Sequence, residues 1–269
     1  MSASTHQSDD LRGQVAIVTG GTRGIGWAIC EALYRRGAKV LACGSTAESV
    51  AAAAVTASAD MPELEVMQAD ARSEHDLRGL VDRAHELAGR LTCLVSCAGQ
   101  AWRGDAIETS PEEWDRCLDL NLKAGFLAAH VVLPHIQNVP NANLTFVSSI
   151  WAITATRRRL AYSVAKTGLA ALARNLAIDH GPKGVRVNAV APGYIETDLL
   201  RRSLQELSPG RDVMPDIIAA HPLKRIGTPR DVGEAVGFLA SPGAGFITGQ
   251  LIVIDGGATA QFGLAEFWG

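Results

Sequence analysis

Tyr162-Ser-Val-Ala-Lys166 sets a phenol and an amine one helical turn apart. The two lie about 40° apart around a helix axis, on the side that also carries Ala165, Leu169, Leu172, Ala173 and Leu176. An apolar face does not hold an ammonium unless a partner fixes it, because burying an isolated charge is costly. A positive charge beside a tyrosine in a drying environment is expected to draw the phenol down from about 10 toward neutrality. Such a pair can trade a proton with a reacting oxygen. A surface helix with Tyr and Lys at i and i+4 would read the same in isolation, so the rest of the chain must decide.

The elements that would position this pair alternate between short β-branched runs and longer helical patterns. Strands are expected at Val15–Val18, Lys39–Cys43, Leu64–Met67, Leu91–Val95, Leu144–Val147, Val185–Val190 and Leu251–Ile254. Seven apolar runs separated by helix-length segments predict an α/β fold, a Rossmann-type doubly wound parallel sheet with helices on both faces. Pro134, Pro140 and Pro182 stand where helices are expected to end. The segment 198–221 follows a strand, is broken by Pro209-Gly210 and Pro215, and is expected to be a long substrate-loop excursion.

The chain has 269 residues, 47% of them hydrophobic, enough to bury one large core, and one domain is expected over 11–269. A net charge of −3 supplies no basic field, which argues against nucleic acid or an anionic membrane as partner. Cysteines 30, 43, 93, 97 and 117 are odd in number and form no C-x-x-C pair, so neither a disulfide framework nor a metal site is expected. A reduced cytoplasm fits that usage. Residues 1–10 are polar and read as a disordered leader, not a signal peptide, and no uninterrupted apolar run reaches membrane-spanning length.

Directly after the first strand comes Thr19-Gly20-Gly21-Thr22-Arg23-Gly24-Ile25-Gly26, running into a helical segment. Glycines at a strand-to-helix turn let the backbone approach a pyrophosphate and aim the amides of the helix start at it. At the end of the second strand an NAD-preferring fold would place an acid for the ribose hydroxyls, but here the residues are Cys43-Gly44-Ser45-Thr46. A carboxylate there would repel a 2′-phosphate, whereas Ser45, Thr46 and the Arg23 guanidinium could bind it. NADPH is therefore expected over NADH.

With these motifs in order, the chain resembles the short-chain dehydrogenase/reductase family, and in particular its 3-oxoacyl-acyl-carrier-protein reductase-like members. The resemblance runs from about Leu11 to Ala260. It rests on the glycine turn, Asp70 after the third strand, Ala98-Gly99 after the fourth, Asn121, Ser149 ahead of Tyr162, Lys166, Pro192-Gly193-Tyr-Ile195-Glu-Thr197, and Asp255-Gly-Gly257. It implies a proton-donor role for Tyr162 and a Lys166 that binds the nicotinamide ribose and lowers the tyrosine pKa. Ser149 would hydrogen-bond the reacting oxygen, and Asn121 would hold a water linking Lys166 to solvent. It implies cofactor contacts from Gly20, Thr22, Arg23, Gly24, Ile25, Gly26, Ser45, Thr46, Asp70, Ala71, Cys97, Ala98, Gly99, Tyr162, Lys166, Pro192, Gly193, Ile195 and Thr197, with Asp70 at the adenine. A homotetramer is implied as well.

One departure is Cys97, where the family usually places an asparagine whose amide ties neighbouring backbone segments together. A thiol is a far weaker hydrogen-bonding group, so the local geometry there is open to question. Arg157-Arg158-Arg159, between Ser149 and Tyr162, could attract an anionic group, or be a solvated face or subunit contact. Trp102, Trp151, Tyr194 and Met214 could form an apolar wall suited to an aromatic ketone.

The sequence thus reads as an NADPH-dependent carbonyl reductase acting on a small-molecule ketone. Its substrate classes, in order, are a β-keto (3-oxoacyl-like) compound, a hydrophobic or polyketide-type ketone, and a sugar or polyol oxidised in reverse. The rival from another class is a silent NADPH-binding regulatory protein, disfavoured because a sensor has no need of Asn121, Ser149, Tyr162 and Lys166 together. The tail from Gln261 to Gly269 is expected to pack on a neighbouring subunit or cover the site.

Overall fold

The structure, a computed structural model, describes residues 9–88, 90–207 and 212–261. In chain order its elements are β1 (Val15–Thr19), α1 (Gly24–Arg35), β2 (Lys39–Gly44), α2 (Ala47–Asp60), β3 (Glu65–Gln68), α3 (Glu74–Ala88) and β4 (Cys93–Ser96). Then follow α4 (Pro111–Leu118), α5 (Ala124–Ile136), β5 (Asn143–Val147), α6 (Leu160–His180), β6 (Arg186–Pro192), α7 (Asp198–Leu207), α8 (Met214–Ala219), α9 (Pro229–Ala240) and β7 (Leu251–Ile254). All strand pairs are parallel, in one sheet of order β3-β2-β1-β4-β5-β6-β7. The order reverses between β1 and β4, which opens a crevice at their carboxyl ends, the usual ligand position in such sheets.

Period-two alternation along the strands feeds two separate cores. Val15 and Ile17 of β1 pack toward α3, α5 and α6, in a cluster with Leu80, Ala128 and Leu169. Their neighbours Ala16 and Val18 join the opposite cluster with Ile29 of α1 and Val232 and Val236 of α9. Both faces of the central strands are therefore buried, while the edge strands β3 and β7 stay partly exposed.

Three local expectations change. Pro134 lies inside α5 instead of ending it. It stands two residues before the end, so the missing N–H withholds a bond from the exposed carbonyl end of His130's turn, where water can serve. Segment 198–221 holds two helices, and Pro215 sits in the first turn of α8, where the absent N–H would have had no helical partner anyway. Asp9 and Asp10, at the end of the expected leader, belong to a turn in which Asp9 pairs with Arg12 and Asp10 with Arg36 at 3.0 Å. Residues 1–8 and 262–269, which carry the rest of that leader and nearly all of the tail reading, lie outside the described residues.

The continuous stretch Pro111–Ile136 is the one helix among the described residues with the length and mean hydropathy, 1.2 over 18 residues, that a membrane span would have. Its apolar side is occupied within the sheet's own core, where Ala128, Val132 and Ile136 are buried.

Candidate active site

The glycine turn is fixed by backbone contacts. Gly20 has φ +66°, and a Cβ there would lie 2.8 Å from the backbone of Ala98. A Cβ on Gly26 would lie 2.1 Å from the carbonyl oxygen of Gly20. Arg23 caps α1 in an extended conformation without a side-chain cap bond, and no acid occupies the first turn, so the positive end of the helix dipole faces the crevice uncompensated. Thr22 stands beside the end of β2, 2.7 Å from where a Gly44 Cβ would project. Ser45 and Thr46 are exposed there, and the Thr46 hydroxyl accepts from the Ser49 N–H at 3.3 Å to cap α2. The first carboxylate beyond β2 is Glu48, within the first turn of α2.

Asp70 follows β3 as expected, but its carboxylate is already forked by Arg72, with contacts of 3.0 and 2.6 Å. The Arg72 guanidinium holds that carboxyl below the usual carboxylate range. Ala71 beside it is buried. Arg72 carried no signal in the sequence reading, and it brings a half-exposed cation to the carboxyl end of β3.

At the carboxyl ends of β4 and β5 the chemistry-bearing residues converge. Asn121 sits in a single π-helical turn, Asp119–Lys123, between α4 and α5. π-Turns of this kind often mark functional positions. Its Nδ2 donates to the Cys117 carbonyl at 3.1 Å while its Oδ1 accepts from the Gln100 N–H at 3.1 Å. Gly99 lets this amide and the Lys166 ammonium come close, since a Cβ on Gly99 would lie 2.9 Å from Asn121 Oδ1 and 3.2 Å from Lys166 Nζ.

Lys166 is buried, and its Nζ donates to the Val147 carbonyl at 3.0 Å. Burial pushes this amine down to about 8. Ser148 and Ser149 divide their tasks. The Ser148 hydroxyl donates to the Lys166 carbonyl at 2.8 Å and ties α6 to β5, while the Ser149 hydroxyl accepts from the Trp151 N–H at 3.3 Å and lies near enough to the Tyr162 phenol to favour its ionised form. Tyr162 is half-buried as a residue, yet burial of the phenol pushes it up to about 12, with Ser149 and Arg159 pulling the other way. The expectation of a tyrosine drawn toward neutrality by Lys166 is therefore reversed in this structure. The Lys166 Nζ stands 5.6 Å from the Tyr162 ring centroid and bonds to the backbone, so desolvation outweighs its attraction. At neutral pH the phenol therefore keeps its proton.

The doubt attached to Cys97 has a local answer. The Thr19 hydroxyl accepts from the N–H groups of Cys97 and Ala98, at 3.2 and 3.4 Å, and so joins β1 to β4 without a side-chain amide at 97. Burial pushes the Cys97 thiol up to about 11, which keeps it protonated at neutral pH.

On the far wall, Pro192 ends β6, and the Gly193 N–H bonds the Ile254 carbonyl at 2.9 Å. Ile195 is buried, and the Thr197 hydroxyl accepts from the Leu200 N–H at 3.2 Å, starting α7. Thr197 Cγ2 lies 3.5 Å from where a Gly24 Cβ would project, so this segment meets the glycine turn. Trp151 meets Tyr194 edge-on at 6.2 Å, and Tyr194 meets the buried His221 at 5.9 Å. His221 was absent from the sequence reading. Trp102 is instead engaged by Arg116, 5.9 Å from its ring centroid, and Met214 begins α8.

The glycine turn, tight enough at Gly20 and Gly26 to leave no room for a side chain, and the uncompensated start of α1 are suited to a phosphate group. The profile of a family described as "Enoyl-(Acyl carrier protein) reductase" matches residues 20–259. Versicolorin reductase of Emericella nidulans is 36% identical over 260 residues, covering 93% of this chain and 98% of its own. Dehydrogenase/reductase SDR family member 4 of Homo sapiens is 31% identical over 261 residues, covering 97% and 92%. Among solved structures, the ligand-free aldohexose dehydrogenase of Thermoplasma acidophilum superposes with a TM-score of 0.85 at 30% identity, covering 95% of this chain and 98% of that one.

Proposed function

The chain belongs to the short-chain dehydrogenase/reductase family, and from that premise we propose that it is an NADPH-dependent carbonyl reductase with Tyr162 as proton donor. Membership makes it an NAD(P)-dependent oxidoreductase of small molecules, acting between C=O and CH–OH. The observation that carries the finer reading is the convergence of Ser149, Tyr162 and the buried Lys166 at the crevice end where the sheet order reverses.

A bound nicotinamide supplies or accepts the hydride. The protein's own residues do the rest. Gly20, Thr22, Arg23, Gly24, Ile25 and Gly26 would hold the pyrophosphate, and Cys97, Ala98, Gly99, Pro192, Gly193, Ile195 and Thr197 the nicotinamide half. Asp70 and Ala71 would border the adenine. Ser149 would hold the carbonyl oxygen, and Tyr162 would protonate it as negative charge develops. Lys166 would orient the ribose, and Asn121 would keep a water in line to resupply the proton.

NADPH preference is supported by the hydroxyls at 45 and 46, by Arg23, and by the absence of an acid from 43–46. A β-keto compound remains the first substrate class and a hydrophobic or polyketide-type ketone the second. The sugar or polyol reading has its own support in the likeness to an aldohexose dehydrogenase. A homotetramer is supported by Phe126 of α5 and Val164 and Ile178 of α6, which are large, apolar and exposed. A reducing compartment such as the cytoplasm suits five cysteines that are all free.

Initial rates of NADPH and NADH oxidation over β-keto, aromatic and carboxylate-bearing ketones test the proposal. Faster turnover with NADPH on one ketone class is expected. Equal dissociation constants for the two cofactors contradict the preference, and turnover only of sugars with NADP⁺ favours the oxidative reading.

A further inference from the structure

The three consecutive arginines have three different environments. Arg157 is exposed. Arg158 takes a left-handed φ of 59° and pairs with Glu108 at 3.1 Å on the surface. Arg159 turns inward, donating from one terminal nitrogen to the Trp102 carbonyl at 3.0 Å and from the other to the Ser203 hydroxyl at 2.7 Å. Arg103 reaches the same serine from a different loop, donating to the Ser203 carbonyl and, at 3.3 Å, to its hydroxyl. The two loops are registered by backbone bonds, Gly104 N–H to the Arg158 carbonyl at 3.1 Å and Leu160 N–H to the Gly104 carbonyl at 3.3 Å.

Ser203 is buried on α7, a helix that makes no extended packing contact with any other helix or strand among the described residues. Its start is fixed at Thr197, beside the glycine turn. Two guanidinium groups converge on its middle turn at this one residue. Charged guanidinium donors are well suited to holding such a turn, since hydrogen bonds from an ionised donor are stronger than neutral ones and the planar group loses little freedom per bond formed.

We propose that Arg103 and Arg159 form a latch that seats α7 over the crevice through Ser203, and that Arg159 is a positioning residue coupling the seated helix to the catalytic tyrosine. Arg159 is three residues before Tyr162, at the cap of α6, so the segment that carries the latch also starts the helix that carries the phenol. Its charge favours the ionised form of both Tyr162 and Tyr194. The coupling rests on the reading of Tyr162 as proton donor; the latch itself does not.

Hydrogen exchange of the intact protein separates the two. In Arg159→Met and in Ser203→Ala, amides within 199–204 should exchange at least about tenfold faster than in the wild type, with Arg158→Met as an unaffected control. With ethyl benzoylacetate as probe ketone, both variants should raise KM more than they lower kcat, and non-additively when combined, as expected for residues in one contact. In oxidation of the corresponding β-hydroxy ester, where Tyr162 must act as base, Arg159→Met should move the rising limb of the pH profile upward. Ser203→Ala and Arg159→Lys, which keep the charge, should leave it in place. Unchanged exchange at 199–204 in both variants overturns the latch. Faster exchange with an unmoved pH limb overturns the coupling. A wild type inert toward ketones overturns the function and leaves the exchange result standing.

Discussion

The two sides of the crevice are built on different principles. On the cofactor side, position is set by backbone against backbone: Gly20 against Ala98, and Gly26 against the Gly20 carbonyl, with no room for one added carbon. On the substrate side, position is set by side chains reaching across long sequence separations, as with Arg103 and Arg159 on Ser203 or Trp151 on Tyr194. The first arrangement fixes one ligand shape and leaves little to vary. The second can change its pocket by changing a few side chains, which suits a family whose members act on different substrates.

If that contrast is right, the largest effect should come from the cofactor side. Gly26→Ala should weaken NADPH binding by about a hundredfold or more, because the new methyl must displace the Gly20 carbonyl; titration of cofactor fluorescence measures it. Near-wild-type affinity would show that the turn can yield, and the two sides would no longer differ in rigidity.

A second effect comes from Lys166, where the two sides meet. Its folded-state amine lies near 8, below the usual value of 10.5, so the unfolded chain binds the extra proton between those values and stability rises with pH across that window. The thiols of Cys30, Cys43, Cys93, Cys97 and Cys117 are all pushed above 9 and contribute in the opposite direction at higher pH. The stability difference between wild type and Lys166→Met isolates the lysine. In denaturant titrations, wild type should gain on the variant between about pH 8 and 10.5, and a difference independent of pH would show that the ammonium is not buried in the native state.

The smallest effect should come from the join between β1 and β4. Thr19→Val keeps the shape but leaves two amides without their shared acceptor, and should cost about 1–2 kcal/mol in denaturant unfolding. A neutral substitution would mean that the Thr19 carbonyl, which also accepts from the Cys97 N–H, suffices alone.

The same contrast explains what could be read from the sequence. All seven strands were legible as short apolar runs, most clearly β1, β4 and β5, which are buried throughout, while the edge strands β3 and β7 are partly exposed. The glycine turn was legible because backbone crowding writes itself as glycine at fixed spacing. The ends were less clear: β1, β2 and β6 run on to Thr19, Gly44 and Pro192, while Thr92 leaves β4 to exchange hydrogen bonds with Val15. Arg72 and Ser203 gave no signal, and the partners of Thr19 and Ser148 could not be read, since a hydroxyl or guanidinium declares its partner only once the chain has folded. The direction of the Tyr162 shift also escaped the sequence, because charge proximity can be counted from spacing while desolvation depends on the whole fold.

The most direct test of the central claim is Tyr162→Phe, which removes the proton and leaves the ring. Turnover of the best ketone should fall by about a thousandfold or more while the dissociation constant for NADPH stays within about threefold of wild type. Substantial residual turnover at unchanged cofactor affinity would mean that another group protonates the carbonyl, and the assignment of Ser149, Tyr162 and Lys166 as the working set would be wrong.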